Sequence, residues 1–142
     1  MKKIIGGKKY DTETATFLGE ISHSNPRDFG YVYEALYRKR TGEYFLYGEG
    51  GANTKYRTWV DNNSWTGGEK ITPITEQDAR KWVEEHLDGD DYERILGKVY
   101  ENGTMVIRTY SVPAYIADKL KKEALNRGVS ASQLLCDLVE NM

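Results

Sequence analysis

The side chains that could do chemistry are few and scattered. The chain carries two histidines, His23 and His86, and one cysteine, Cys136. A histidine acting as general base needs an orienting group and a nucleophile within hydrogen-bond reach, and no motif around either histidine supplies them. His86 falls on the apolar stripe of a predicted helix and reads as a packed or partly exposed neutral side chain. Asp88, Asp90 and Asp91 could hold a cation, but the run lacks the ligand spacing of a calcium loop and reads as a solvated helix terminus. Gly48-Glu49-Gly50-Gly51 precedes no helix, so it is not a phosphate cradle. Cys136, set among Leu134, Leu135, Leu138 and Val139, reads as a small core residue, and a single cysteine excludes an internal disulfide framework. No catalytic residue, metal site or cofactor site is expected. The expectation is a protein that works by binding.

The elements that must position a binding surface come next. With 142 residues, the chain suits one small domain plus an appendage. Residues 1–100 carry 15 Lys/Arg and 17 Asp/Glu, and residues 101–142 carry five of each, so no basic excess advertises nucleic acid. Eleven tyrosines and three tryptophans make a polar chain unusually aromatic, as binding surfaces are. The opening MKKIIGGKKYD is basic but leads into no apolar run, and no segment reads as a membrane span; a cytoplasmic location is expected.

Lys2–Ile5 and Lys8–Tyr10 flank Gly6-Gly7, a hairpin signal. Asp11 or Thr12 is expected to cap a short helix reaching Gly19, with Ala15, Phe17 and Leu18 as its apolar side, and residues 23–30 form a loop around Pro26. Phe29–Lys39 and Glu43–Gly48 predict a second hairpin about Arg40-Thr41-Gly42. Tyr31, Tyr33, Ala35 and Tyr37 share one strand face; Val32, Glu34, Leu36 and Arg38 share the other, and the period leaves open which is inward. Gly48–Gly68 reads as a long functional loop with Trp59 and Trp65 packed on something. Lys70–Ile74 is a strand. Thr75 caps a helix with Asp78 at its third position and Ala79, Trp82, Val83, His86 and Leu87 as its stripe, ended by Asp88–Asp91 and followed by a last helical turn at Tyr92–Leu96.

Composition shifts at Glu101-Asn102-Gly103, a linker between residues 1–100 and 104–142. Beyond it, Thr104–Ser111 predicts a strand, Pro113 the first residue of a helix that Gly128 stops, and Ser130 the cap of a second helix with Leu134, Leu135, Leu138 and Val139 in its stripe. One strand and two short helices bury too little surface to stand alone, and a lone strand needs a partner; two copies with paired strands answer both needs.

Residues 104–142 resemble the ribbon-helix-helix family of Arc- and MetJ-like repressors, on Val112-Pro113, Ile116, Leu120 and Gly128-Val129-Ser130-Ala131-Ser132-Gln133-Leu134. The resemblance implies a homodimer with Val106, Tyr110, Val112, Leu134, Leu135 and Leu138 inward. It implies Ile107, Thr109 and Ser111 facing operator DNA, and Ser130 and Ser132 at a phosphate. Arg108 would then point inward and Ile107 would have to read bases, both departures from the family's pattern.

Residues 1–100, through KKIIGGKKYDTETATFLGE, YEALYRKRTGEYFLYGEGGANTKY, WTGGEKITPIT and DARKWVEEHL, resemble an N-terminal domain of short Gram-positive mobile-element proteins that include type II-A anti-CRISPR proteins. The resemblance implies inhibition of the RNA-guided nuclease of a type II CRISPR system, or of its guide complex, by direct contact. The group's C-terminal parts vary, which accommodates a ribbon-helix-helix. The candidate contact residues are Tyr31, Tyr33, Tyr37, Tyr56, Trp59 and Trp65, with the acidic Glu84, Glu85, Asp88, Asp90 and Asp91. The expected fold is α+β: antiparallel hairpins with two to three short helices, then the dimerisation module. A ribbon-helix-helix repressor with the N-terminal domain as sensor is the alternative, and an antitoxin ranks third because the extra domain precedes the DNA-binding part.

Overall fold

A computed structural model describes residues 1–61 and 63–142; Asn62, inside the expected Gly48–Gly68 loop, lies outside the described residues. The fold is mixed α+β with antiparallel sheets and four helices among the described residues. The chain forms two compact units, Met1–Glu101 and Asn102–Met142. No helix among the described residues is long and apolar enough to cross a membrane.

In the first unit, β1 (Lys2–Ile5) and β2 (Lys8–Asp11) form a hairpin. Its turn residues Gly6 and Gly7 both have positive φ, which matches the twist of the flanking strands. The main sheet holds β3 (Thr16–His23), β4 (Val32–Arg38), β5 (Tyr44–Gly50) and β8 (Gly68–Ile74) as a meander in that spatial order. A short hairpin of β6 (Thr58–Asp61) and β7 (Ser64–Thr66) is inserted between β5 and β8. Helices α1 (Glu76–His86) and α2 (Gly89–Leu96) follow.

Both sheet faces are covered, which explains why the period of β4 left its inward side open. On one face Leu36, Tyr44 and Leu18 pack with Ala79, Trp82 and Val83 of α1 and Ile95 of α2. On the other, Tyr10 of the first hairpin packs with Phe45 and Ile71. Tyr37 and Phe45 stack at 5.3 Å, and Tyr10 meets Phe45 edge-on at 5.6 Å.

Three expectations are corrected. Asp11–Gly19 is not a helix: Asp11 closes a turn through the amide of Glu13 (2.9 Å), and the chain then enters β3. A bulge between Phe17 and Gly19 turns Leu18 and Gly19 inward together, breaking the strand period and imitating a helical cluster. The stretch 48–68 is not one loop. β5 runs to Gly50, and residues 51–57 are tied to β4 by Gly51 N–H to Tyr31 O and Asn53 N–H to Phe29 O, both 2.9 Å, before β6 and β7. Asp88–Asp91 does not merely end a helix but opens α2: the Asp88 carboxylate accepts the amide of Asp91 at 2.8 Å, with Asp90 and Asp91 in the first turn where the helix dipole favours them.

In the second unit, α3 (Ala114–Arg127) begins just after Pro113, which takes the cap position instead of the first helical one. Gly128 ends it in the left-handed conformation with the Val129 amide on Ala124 O at 3.0 Å. Ser130 then caps α4 (Ala131–Glu140) by accepting the amide of Gln133 at 3.0 Å. Thr104–Ser111, expected as a strand, is irregular and exposed, since an isolated strand has no ladder to join within one chain.

Candidate partner-binding site

One face of the main sheet carries an acid–tyrosine lattice. Register places Tyr33 opposite Glu49, and Glu49 opposite Glu69, across β4, β5 and β8, with Glu20 of β3 and Tyr47 of β5 on the same face. Tyr33 donates to Glu20 at 2.5 Å, and Tyr31 to one Glu49 oxygen at 3.2 Å. The Tyr47 hydroxyl lies 2.8 Å from the other Glu49 oxygen and 2.7 Å from Glu69. Burial, reinforced by these carboxylates, holds the Tyr33 and Tyr47 hydroxyls far above the ordinary tyrosine range. No cation pairs with Glu20, Glu49 or Glu69 among the described residues.

Beside this lattice opens a cleft of about 560 Å3, whose walls include Phe29, Tyr31, Glu49, Trp65 and Glu69. Phe29 is 71% exposed. At the rim, Trp59 and Trp65 are cross-strand partners of β6 and β7 and meet edge-to-face at 4.4 Å. They are 51% and 42% exposed, and the Arg57 guanidinium covers the Trp65 ring at 4.0 Å. Large aromatics beside arginine are the side chains that anchor protein interfaces.

The expected contact residues separate. Tyr31, Tyr33 and Tyr37 are half-buried in the lattice or its core edge, and Trp59 and Trp65 are presented to solvent. Tyr56 is corrected from contact residue to buried strut. Its ring fills the space over Gly48 and its hydroxyl donates to Glu34, a buried carboxylate that Lys55 also meets at 3.0 Å. Burial pushes the Glu34 carboxyl up, but the Tyr56 and Lys55 hydrogen bonds and the Lys55 charge outweigh it and leave it below the ordinary glutamate range. Glu84 and Glu85 lie exposed on α1, away from any aromatic pair, while Asp88 and Asp91 are engaged in capping α2 and in a 3.3 Å contact with Arg94. Asp90 is exposed in the same first turn.

Sequence reasoning missed Glu20, Glu49, Glu69 and Phe29. The alternation Tyr47-x-Glu49 was a usable signal, since residues two apart share a strand face, but Glu69 joins only through pairing with β8.

In the second unit, Ala124 and Leu134 are the buried apolar residues, so Leu134 serves the packing of α4 on α3 within one chain. Val106, Tyr110, Val112, Leu135 and Leu138 are exposed, as are Ile107, Thr109, Ser111, Ser130 and Ser132. Compared with models of known protein families, with curated proteins and with solved structures, the chain matches none.

Proposed function

We propose that residues 1–101 form a protein-recognition domain that inhibits the RNA-guided nuclease of a type II CRISPR system by direct binding, and that residues 102–142 hold two copies together as a ribbon-helix-helix. The observation that carries the binding reading is the exposed Trp59–Trp65 pair beside an uncompensated acidic lattice. The resemblance of residues 1–100 to mobile-element proteins supplies the nature of the partner. Such a nuclease holds guide RNA and target DNA in basic channels. A surface joining aromatic anchors to carboxylates suits a basic protein face, and inhibition then needs occupancy and no turnover. The dimer reading is supported by the exposed apolar side chains Val106, Tyr110, Val112, Leu135 and Leu138, which a second copy would cover.

A plasmid-interference assay tests this with the whole chain, residues 1–101 and residues 102–142. Protection of a targeted plasmid by the whole chain, absent with residues 102–142 alone, is the expected result. No protection across several well-expressed type II nucleases would remove the reading. Sedimentation equilibrium of the full chain, with Leu138→Asp as the monomeric control, tests the dimer.

A second reading, a repressor of its own promoter, is favoured by the exposed Thr109 and Ser111 and by the Ser130-capped start of α4. It requires a retarded promoter fragment whose affinity falls steeply with salt. An unshifted fragment at low salt would count against it.

A further inference from the structure

We infer that the cleft between Phe29 and Trp65 receives an arginine side chain presented by a partner polypeptide, with Glu49 and Glu69 as its acceptors. The inference rests on residues 1–101 being a protein-binding domain, but not on which protein is bound.

The first observation is a like-charge pair that the fold leaves uncompensated. Glu49 and Glu69 are direct cross-strand neighbours in β5 and β8, an arrangement that destabilises a sheet. Neither meets a cation among the described residues, although Arg57, Lys55 and Arg27 are all nearby in sequence or on the cleft wall. Lys55 is committed to Glu34 and Arg57 to the Trp65 ring.

The second observation is a shortage of donors. A phenol has one hydrogen to give, while two ionised carboxylates offer four oxygens. Tyr47 lies within hydrogen-bond distance of one oxygen of each glutamate and can serve only one at a time. Tyr31 serves the remaining Glu49 oxygen at 3.2 Å. The other Glu69 oxygen receives no hydrogen bond from the described residues. The site lacks both positive charge and N–H groups.

A guanidinium supplies both. It carries five N–H donors in a planar fork that fits paired carboxylates, and its flat face stacks on aromatic rings. Phe29 offers an exposed ring in the cleft wall, and the Arg57–Trp65 contact shows guanidinium stacking already in use at the rim. An ammonium would satisfy the charge but neither the fork nor the stacking. Charge complementarity and planarity therefore favour arginine over lysine.

The test is an NMR titration of the isotope-labelled full chain with three short peptides, identical except for arginine, lysine or citrulline at the centre. The expected result is saturable shifts at Phe29, Glu49, Trp65 and Glu69 with the arginine peptide, and at least tenfold weaker binding of the other two. Glu49→Gln with Glu69→Gln should abolish the saturable shifts while the melting temperature holds or rises, because like-charge repulsion is relieved. The charge-matched pair Glu101→Gln with Asp118→Asn should leave binding unchanged. Equal response to citrulline, or equal weakening by the control pair, would overturn the inference. Arginine binding without plasmid protection would leave the cleft standing and remove the nuclease reading. Protection by a chain that binds no arginine would do the reverse.

Discussion

The ring of Tyr56 occupies the space that a side chain at Gly48 would need: a Cβ on Gly48 would lie 2.0 Å from the Tyr56 ring and 2.1 Å from its hydroxyl oxygen. Gly48 is also the cross-strand partner of Glu34, the carboxylate to which that hydroxyl donates. One missing side chain thus lets a residue 22 positions further along the chain from Glu34 reach over the sheet and satisfy a buried charge.

Gly48→Ala should therefore dislodge Tyr56 and expose Glu34 as an unpaired buried acid. Overpacking together with the lost hydrogen bond predicts a destabilisation of about 3 kcal/mol. Tyr56→Phe, which keeps the ring and loses only the hydroxyl, should cost about 1–3 kcal/mol, since the acceptor is charged. Urea unfolding followed by tryptophan fluorescence measures both, and equal stability of Gly48→Ala and the parent chain would refute the strut.

Acid should act through the same carboxylate. In the folded chain Glu34 titrates below the ordinary 4.5, so the unfolded chain takes up its proton first. Its contribution is complete above the ordinary glutamate range and is lost as pH falls through the lower folded value. Unfolding free energy measured from pH 7 downward should decline there, and Tyr56→Phe should flatten that decline. An identical acid limb in both proteins would assign the loss to other carboxylates.

Alkali should act through the tyrosines. The hydroxyls of Tyr33, Tyr47 and Tyr56 are held above the ordinary 10.0, first by burial and then by Glu20, by Glu69 with Glu49, and by Glu34 respectively. The folded chain keeps these protons where the unfolded chain releases them, so stability is complete below pH 10 and falls as pH rises beyond it. Spectrophotometric titration should find a set of tyrosines that ionises only with unfolding. Smooth titration of all eleven as a single exposed class would contradict the lattice.

Trp59→Ala with Trp65→Ala should separate binding from folding. Both rings are exposed and contact mainly each other, so their loss should cost about 1 kcal/mol of stability, the worth of an aromatic pair. Protection in the interference assay should fall at least tenfold. Full protection by the folded double variant would place the contact elsewhere on residues 1–101.

Local signals were legible and non-local ones were not. The Gly6-Gly7 turn, the Thr75 cap and the Ala79, Trp82, Val83 stripe are written within a few residues of one another, and the structure carries each as expected. The Asp11–Gly19 stretch misled because its bulge removes the alternation that identifies a strand. β6 and β7 escaped notice because all their described residues are exposed, leaving no apolar alternation to read. Tyr56 drew attention as a tyrosine in an apparent loop, yet its role depends on Gly48 and Glu34 in strands formed earlier in the chain. The Glu49–Glu69 pair depends on β8 returning to β5 past an inserted hairpin, a pairing that no short window contains.

The corner between α1 and α2 has a consequence of its own. Leu87 closes the first helix with its amide on Val83 O at 2.9 Å, and the very next residue, Asp88, opens the second. With no spacer between one cap and the other, the corner has no slack, and even one spliced-in residue would break a cap and draw Ile95 out of the core it shares with Trp82. The exposed turn at Arg40-Thr41-Gly42 closes its hairpin without burying a side chain. Epitopes, fluorophores or new chain ends belong there, and the 87–88 junction is where the fold has no room for them.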